Sequence, residues 1–422
     1  MTEVKIITKH WGTVNPFLID SYIHLGGYGQ FLQCLKKPVP AAEIIKSVEQ
    51  SGLRGRGGGG FLTGKKWQLA ACAAEAKRQK PYLIINGDES EPGTFKDRAI
   101  IEKNPHAVLE GALIAAYAIG AEQVFIYING RYREQFHIME KTVAIARQHN
   151  LVGKKIGGTA VNIEVEVVAG PGGYICGEET ALINTLESRR PEPRLRPPYA
   201  TTEGLWGRPT IVNNVETIAN IAPILEMGPA AYAAVGAKGN GGTKLFSVSG
   251  PVLTQGIFEL PLGISPKELI MDYCGGLKPG KRICFVQVGG AAGPLLKPRD
   301  LKKRFSYDAG SDTVRVGSGA VLVVDQLVSV EDLLVSWAQF YRRESCGQCT
   351  PCREGTYQLF KIAERIKRGS AFKRDPENAR DLIQVLQKTS LCPLGMMAGT
   401  SFENVINFFG DEIFKIRNRP RR

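Results

Sequence analysis

The sequence predicts an α/β fold joined to a small mixed unit and a helical bundle. Three observations carry this: strand-like apolar runs alternate with helical ones to about residue 240, glycine turns and short strands follow to about Val324, and helical stripes fill the remainder. The first 50 residues form a lead-in segment with a short helix over 41–49. A glycine-rich loop follows at 54–60, and Thr63 is placed to cap a helix through Lys65, Trp67, Leu69 and Ala73. Residues 82–86 form a short apolar strand ending in the acidic turn Asp88, Glu89, Ser90, Glu91. Asn104 and Pro105 open a helix carrying Leu109, Leu113 and Tyr117, and a strand at 123–128 comes next. A helix at 134–148 leads to a strand at 162–168, where Ile163, Val165 and Val167 alternate with polar residues. Strands separated by helices make a layered sheet whose ligands gather at strand ends.

From Lys244 to about Val324 the pattern predicts a separately folded mixed α/β or β-grasp-like unit with one short helix at 266–273. Beyond Asp325, Leu333, Leu334, Trp337, Phe340 and Tyr341 share one helical face. Further apolar stripes at 357–366, 382–386 and 402–414 complete a four-helix bundle. The expected divisions are 1–50, 51–240, 241–328 and 329–422.

With 422 residues, 43% apolar and 23% charged, the chain suits an ordered protein with several cores, not a disordered or fibrous one. Glu3, Lys5 and Lys9 interrupt the N-terminal apolar runs, unlike a secretory signal. The longest apolar helical stretch, 111–121, is too short to span a bilayer, so a soluble protein is expected. A net charge of +13 raises nucleic acid as a partner. Yet Lys and Arg are scattered, without zinc-finger spacing or a recognition helix. The charge equally suits anionic dinucleotides, an acidic partner subunit or a membrane-bound assembly. The tail Lys415, Arg417, Arg419, Arg421, Arg422 is read as docking on an acidic subunit. Five histidines, none beside a triad partner, leave a hydrolase unsupported.

Nine cysteines without a secretion signal argue for a reducing compartment, not a disulfide scaffold. Cys34, Cys72, Cys176, Cys274 and Cys284 are scattered. Cys346-Gly-Gln-Cys349-Thr-Pro-Cys352 instead presents a compact triple, and Cys392, followed by Pro393, arrives about one helix later. One loop of such thiolates wraps a face of an iron–sulfur cubane while a distant cysteine closes it, because iron is held by soft, charge-donating sulfur. Zinc also accepts four thiolates, but commonly as two separated pairs. Expected helices at 331–344 and 354–368 would hold the loop rigidly, as relay or staple.

Gly55, Gly57 and Gly60 match G-x-G-x-x-G, but a helix precedes them where the dinucleotide fingerprint needs a strand. Glycines still let backbone N–H groups approach a phosphate or planar ring, with Arg54, Arg56, Lys65 and Lys66 as counter-charges. A flexible surface turn is the plainer alternative. Asn86, Asp88 and Glu89 can bond sugar hydroxyls or a ring edge, or form a solvated turn. Glu178 and Glu179, in Gly170-Pro-Gly-Gly-Tyr-Ile-Cys-Gly-Glu-Glu-Thr180, line a pocket or merely charge a helix start. Asn213 and Asn214 bind phosphate or cofactor oxygens, or cap the next helix.

The order of these motifs is more specific than any one of them: Arg54-Gly-Arg-Gly-Gly, Thr63-Gly-Lys-Lys-Trp67, Asn86-Gly-Asp-Glu-Ser-Glu-Pro-Gly, Gly177-Glu-Glu-Thr, Val212-Asn-Asn-Val-Glu-Thr, Ser345-Cys-Gly-Gln-Cys-Thr-Pro-Cys-Arg-Glu-Gly355 and Cys392-Pro-Leu-Gly395. Together they resemble the FMN- and NADH-binding flavoprotein subunit of respiratory complex I, over roughly residues 25–414. The resemblance implies an FMN-binding, Rossmann-like α/β domain, a ubiquitin-like (β-grasp) domain and a bundle carrying one [4Fe-4S] cluster on Cys346, Cys349, Cys352 and Cys392. It implies an FMN cradle of Gly55, Arg56, Gly57, Gly58 and Lys66, assisted by Asn86, Asp88, Ser90, Gly177, Asn213, Asn214 and Thr217. On the NADH side it places Phe61, Glu91, Glu179, Arg196 and Tyr199, with Tyr174 and Glu178 nearby. The resemblance implies that Phe61 stacks on adenine, Glu91 binds ribose and Glu179 guides the nicotinamide. Gly59, Leu62, Leu69 and Arg196 depart from the usual alanine, proline, aromatic and lysine, which touches adenine contacts more than FMN.

The implied activity is hydride transfer from NADH to FMN, then single electrons to the cluster and to partner iron–sulfur subunits, towards quinone. The implied partners are a thioredoxin-like [2Fe-2S] subunit and a large iron–sulfur subunit. The implied location is cytoplasmic, peripheral on the inner membrane through the complex, without nucleic acid. The alternative is the diaphorase subunit of an NAD-linked hydrogenase or formate dehydrogenase.

Overall fold

A computed structural model describes residues 4 to 414. The basic tail from Lys415 onward lies outside the described residues. Strands β1 (Tyr82–Gly87), β2 (Gln123–Asn129), β3 (Glu164–Gly170) and β4 (Thr210–Asn214) pair in parallel in the order β3-β2-β1-β4. Such a sheet needs cover on both faces, and the two-residue period supplies it. Leu83 and Ile85, with Val124, Ile126 and Ile128, share a core with helix Pro105–Ile119 and the lead-in. Ile84, Phe125, Tyr127 and Val212 pack the opposite way, with helix Glu179–Leu186 and the C-terminal helices.

Two local expectations shift. Thr63 is not a cap: Leu62 holds the N-cap position of helix Thr63–Lys77, and no side chain caps it. The Thr63 N–H donates to Leu53 O at 2.9 Å, so backbone closure of the glycine loop fixes the helix start. Strand β3 begins after Ile163, because that residue forms a bridge with Gly153.

The lead-in contains helices Ile19–Ile23 and Gly29–Lys36 as well as Ala41–Gln50. Two buried carboxylates fasten it. Glu110 accepts the Tyr22 hydroxyl at 2.6 Å, and Glu259 accepts the N–H groups of Ile6 and Ile7 at 3.0 and 2.9 Å.

Strands β5 (Thr243–Ser249), β6 (Gly256–Pro261), β7 (Ile283–Val288), β8 (Leu295–Leu296) and β11 (Ala320–Asp325) form a second sheet in the order β6-β5-β11-β7-β8, while β9 (Arg304–Ser306) and β10 (Thr313–Arg315) pair separately. The central strands β5 and β11 are parallel, and their outer neighbours run antiparallel to them. Phe246, Phe285 and Phe305 are fully buried in or beside this unit, each contributing roughly 1.5–3 kcal/mol of burial. One α-turn, Pro266–Glu268, widens into the π-turn Leu269–Tyr273.

Helices Val330–Glu344, Thr350–Lys367, Asp375–Thr389 and Thr400–Ile413, with the short Pro393–Met397, build the C-terminal bundle. The helix expected from residue 354 starts at Thr350. Pro351 occupies its first turn, where a missing N–H breaks no helical bond, so Cys352 sits on the helix and not in the loop.

Candidate functional site

The carboxyl ends of β1, β3 and β4 open into a cleft of about 1620 Å³, closed on other sides by the second sheet and the bundle. The glycine loop forms one wall. Gly55 N–H donates to Phe61 O at 2.9 Å, so the loop folds back on itself. Gly58 has φ +120°, and a Cβ on Gly57 would lie 3.1 Å from Asn214 Cβ. A side chain is thus strained at Gly58 and crowded at Gly57, where the backbone faces the cleft.

Most residues singled out from the sequence meet here: Gly57, Gly58, Phe61, Lys66, Asn86, Asp88, Ser90, Glu91, Tyr174, Gly177, Glu178, Glu179, Arg196, Tyr199 and Asn214 all line the cleft. Gly55, Arg56, Asn213 and Thr217 are not among its lining residues and instead support it. The Arg56 side chain is fully buried and donates to Gly241 O at 2.6 Å, while its N–H donates to Thr217 Oγ1 at 2.8 Å. Asn213 Oδ1 accepts from Trp67 Nε1 at 2.8 Å. Of the four cations expected to neutralise an anion, only Lys66 lines the cleft: Arg54 pairs with Asp308 at 3.0 Å, and Lys65 turns to Gln68.

Lys66 Nζ meets Glu179 Oε1 at 2.5 Å, and Arg196 stands 3.6 Å from the other oxygen. Burial would raise the Glu179 carboxyl, but Lys66 and Arg196 outweigh it and hold it below the ordinary range. Glu178 caps helix Glu179–Leu186, accepting from Thr180 and Ala181 N–H at 2.9 and 3.0 Å, and pairs with Arg196 through its second oxygen. Glu91 is raised by burial, against the Tyr174 hydroxyl it accepts at 2.5 Å. Burial pushes Asp88 up to about 6, opposed by bonds from Ser90 and Asn129. Its Oδ2 is buried without a partner among the described residues, an acceptor left over at the cleft.

Sequence reasoning missed the floor. Lys96 and Asp97 line the cleft with Glu89, and Lys96 Nζ contacts Asp97 at 2.7 Å and Glu216 at 2.9 Å. Lys244, from β5, meets the same Glu216 oxygen at 2.5 Å. Asp97 also accepts from Asn214 Nδ2 at 2.7 Å. Burial would lower Lys96, but Asp97, Glu216 and Glu89 hold it above its ordinary value. Lys244 is pushed down to about 7 by burial, despite Glu216. Burial, with Asp97, lifts Glu89 to about 7. The segment Phe95-Lys96-Asp97-Arg98 has the local pattern of a solvated helix start and lies just past the end of the motif at 86–93. Ser318 and Gly289, from the second sheet's unit, were equally unmarked.

Cys346 and Cys349 lie between the first two bundle helices, Cys352 in the first turn of the second, and Cys392 at the N-cap of Pro393–Met397. Cys352 lies within electrostatic reach of the other three, and a Cβ on Gly395 would come within 3.0 Å of Cys352 Cβ. Burial pushes Cys352 up to about 12 and Cys392 to about 11, and a coordinated cation would deprotonate such thiols. Soft sulfur donors of this kind suit iron. Pro393 and Leu394, directly after Cys392, line the cleft itself.

A strand-end cleft walled by backbone and carboxylates thus borders, through Pro393 and Leu394, the turn that carries Cys392. Residues 48–223 match the family described as the Nuo51 FMN-binding domain, and residues 332–415 match the NADH-ubiquinone oxidoreductase-F iron-sulfur binding region. The chain is 42% identical to the F subunit of the NADH-quinone oxidoreductase of Aquifex aeolicus, covering 99% of this chain and 96% of that protein. It is 37% identical to HndC, a subunit of the NADP-reducing hydrogenase of Solidesulfovibrio fructosivorans, over 97% of this chain and 83% of that one. A crystal structure of an NAD+-reducing [NiFe]-hydrogenase in the H2-reduced state superimposes with a TM-score of 0.83 at 32% identity, covering 99% of this chain and 68% of that one. The chain belongs to the family of NADH-quinone oxidoreductase F subunits, the complex I flavoproteins, as its motif order implied.

Proposed function

We propose that the cleft holds FMN and NADH together and that Cys346, Cys349, Cys352 and Cys392 hold one [4Fe-4S] cluster as the electron exit. The chain is the NADH-oxidising flavoprotein subunit of a respiratory or hydrogenase-type complex, passing electrons towards iron–sulfur centres. One observation carries the finer reading: a single cleft runs from the glycine loop to the Cys392–Leu394 turn. Its volume of about 1620 Å³ exceeds the roughly 300–1,000 Å³ usual for one small ligand, leaving room for two.

Bound FMN supplies the exchange between a two-electron donor and one-electron carriers. The chain's own residues bind and orient. Gly57 and Gly58 offer close backbone approach, Asn86 and Asn214 offer amides, and the leftover Asp88 Oδ2 accepts a ligand donor. Lys66 and Arg196 keep Glu179 ionised as an acceptor beside the nicotinamide. Tyr174 fixes Glu91 for a ribose hydroxyl. Glu91, Glu178 and Glu179 together disfavour a 2′-phosphate, which supports NADH over NADPH. Pro393, Leu394 and Met397 give the cleft an apolar wall on the side of Cys392.

Four parallel strands support the Rossmann-like reading of 51–240, and the parallel centre of β6-β5-β11-β7-β8 supports the ubiquitin-like reading of 241–328. Among the described residues, no helix is long and apolar enough to cross a membrane. This accords with cytoplasmic, peripheral attachment through a thioredoxin-like [2Fe-2S] subunit and a large iron–sulfur subunit on the way to quinone. The hydrogenase likeness supports a second reading, a diaphorase subunit, with the same chemistry in this chain.

Anaerobic purification followed by absorption and electron paramagnetic resonance spectra tests the proposal. About one flavin and four irons per chain, bleached by NADH, are expected. Zinc without flavin would overturn it.

A further inference from the structure

Between the cleft and the cysteine loop runs a short connection that the motifs do not account for. Helix Val330–Glu344 ends just before Ser345 and Cys346, and its last residue turns back to the cleft: Glu344 Oε2 accepts the Tyr174 N–H at 2.6 Å. One turn earlier, Phe340 sits edge-on to the Tyr174 ring, with centroids 5.1 Å apart. Tyr174 gives its hydroxyl to Glu91 Oε2 at 2.5 Å, and Glu91 Oε1 accepts the Ala292 N–H at 3.3 Å. On the other side of Glu344, Ser345 Oγ lies 3.2 Å from Cys352 Sγ and accepts the Gly347 N–H at 3.3 Å.

Helix stability does not explain Glu344. A carboxylate at a helix C-terminus opposes the negative end of the macrodipole, so its partner must supply the reason for its placement. That partner is a backbone N–H on the cleft wall, a charge-assisted bond that leaves the Tyr174 side chain free to hold Glu91.

We propose that Glu344 is a positioning residue that ties the Tyr174–Glu91 pair to the cysteine loop, coupling dinucleotide occupancy to the hydrogen bonding at Cys352. The inference rests on the assignment of NADH to this cleft. A dinucleotide ribose on Glu91 tightens Tyr174, and the constraint passes through Glu344 to Ser345. Hydrogen bonds to cluster sulfurs set a cluster's electronic environment, and coupling between two sites is reciprocal.

The test uses the assembled complex carrying flavin and cluster, with ADP-ribose as a redox-inert probe of the dinucleotide wall. Glu344→Ala removes the acceptor, whereas Glu344→Gln keeps an oxygen in place. Glu344→Ala is expected to raise the NADH KM about tenfold with kcat nearly unchanged, the scale of one charge-assisted bond, and Glu344→Gln to recover most of it. ADP-ribose should alter the paramagnetic resonance line shape of the reduced cluster in wild type and Glu344→Gln, but not in Glu344→Ala. Tyr174→Phe should abolish the same response, and combining it with Glu344→Ala should add nothing in KM. A Glu344→Ala complex with wild-type KM or an intact ADP-ribose response, or additive single effects, overturns the proposal. Loss of flavin or iron from that variant also overturns it, by making Glu344 a part of the scaffold. A wild-type complex that neither oxidises NADH nor binds ADP-ribose fails the NADH assignment instead.

Discussion

One lysine–glutamate pair lines this cleft and another lies buried behind Lys96 and Asp97, at the same distance and in different surroundings. At the rim, Lys66 and Glu179 meet at 2.5 Å with 20% and 22% of their side chains exposed. At the floor, Lys244 and Glu216 also meet at 2.5 Å, with no exposure. Distance alone therefore ranks them equal, and burial separates them. The rim pair can exchange its partner for water or a ligand, as a binding site requires. The floor pair cannot: Glu216 serves two buried ammonium groups, and burial that would raise its carboxyl is outweighed by Lys244, Lys96 and Arg56.

The largest difference between the regions is expected on removing that shared acceptor. Glu216→Ala strands Lys244 in the interior and leaves Lys96 with Asp97 as its ion-pair partner, and breaking a buried pair in this way costs about 3–5 kcal/mol. Urea unfolding of the variant should show the loss. A wild-type midpoint would mean that water reaches the floor and that burial does not distinguish the two pairs.

Proton linkage gives the next effect in size. Lys96 has Asp97 as well as Glu216, whereas Lys244 shares Glu216 and is pushed from 10.5 down to about 7. Between those values the unfolded chain binds more protons at this lysine than the folded one, so its contribution to stability rises with pH across the window. That contribution is fully present above pH 10.5 and is lost as pH falls through about 7. Lys244→Met abolishes the slope. Unfolding midpoints at pH 7 and pH 9 should show wild type gaining about 2 kcal/mol relative to the variant. Parallel behaviour of the two proteins would assign the proton elsewhere in the cluster.

The same contrast governs what could be read from the sequence. Rim residues follow strands inside short motifs, so Asn86, Asp88 and Glu179, which local pattern singled out, do line the cleft. The floor is assembled from Lys96, Glu216 and Lys244 on three separate segments; Glu216 lies inside the motif at 212–217, yet nothing local pairs it with either lysine until the chain folds. Misplaced roles have the same cause. Arg54 looked like a counter-charge and is taken by Asp308. Thr63 looked like a cap, yet the loop closes through backbone. Local chemistry names what a side chain can bond, and tertiary neighbours choose among the candidates.

The smallest effects should separate two adjacent rim glutamates. Glu178 spends one oxygen on the start of helix Glu179–Leu186, whereas Glu179 bonds no backbone there and faces Lys66 and Arg196. Glu178→Ala removes a cap and should cost about 1 kcal/mol of stability. Glu179→Ala removes a partly exposed pair and should cost less than that, while lowering kcat/KM for NADH about tenfold, or ~1.4 kcal/mol of transition-state stabilisation. Flavin content should not fall with Glu179→Ala, because Gly57, Gly58, Asn86 and Asn214 remain in the cleft. Thermal unfolding and NADH titration on both variants decide the matter. Wild-type kinetics for Glu179→Ala would remove Glu179 from the nicotinamide side, and equal stability losses would show that the capping bonds of Glu178 do not set it apart from its neighbour.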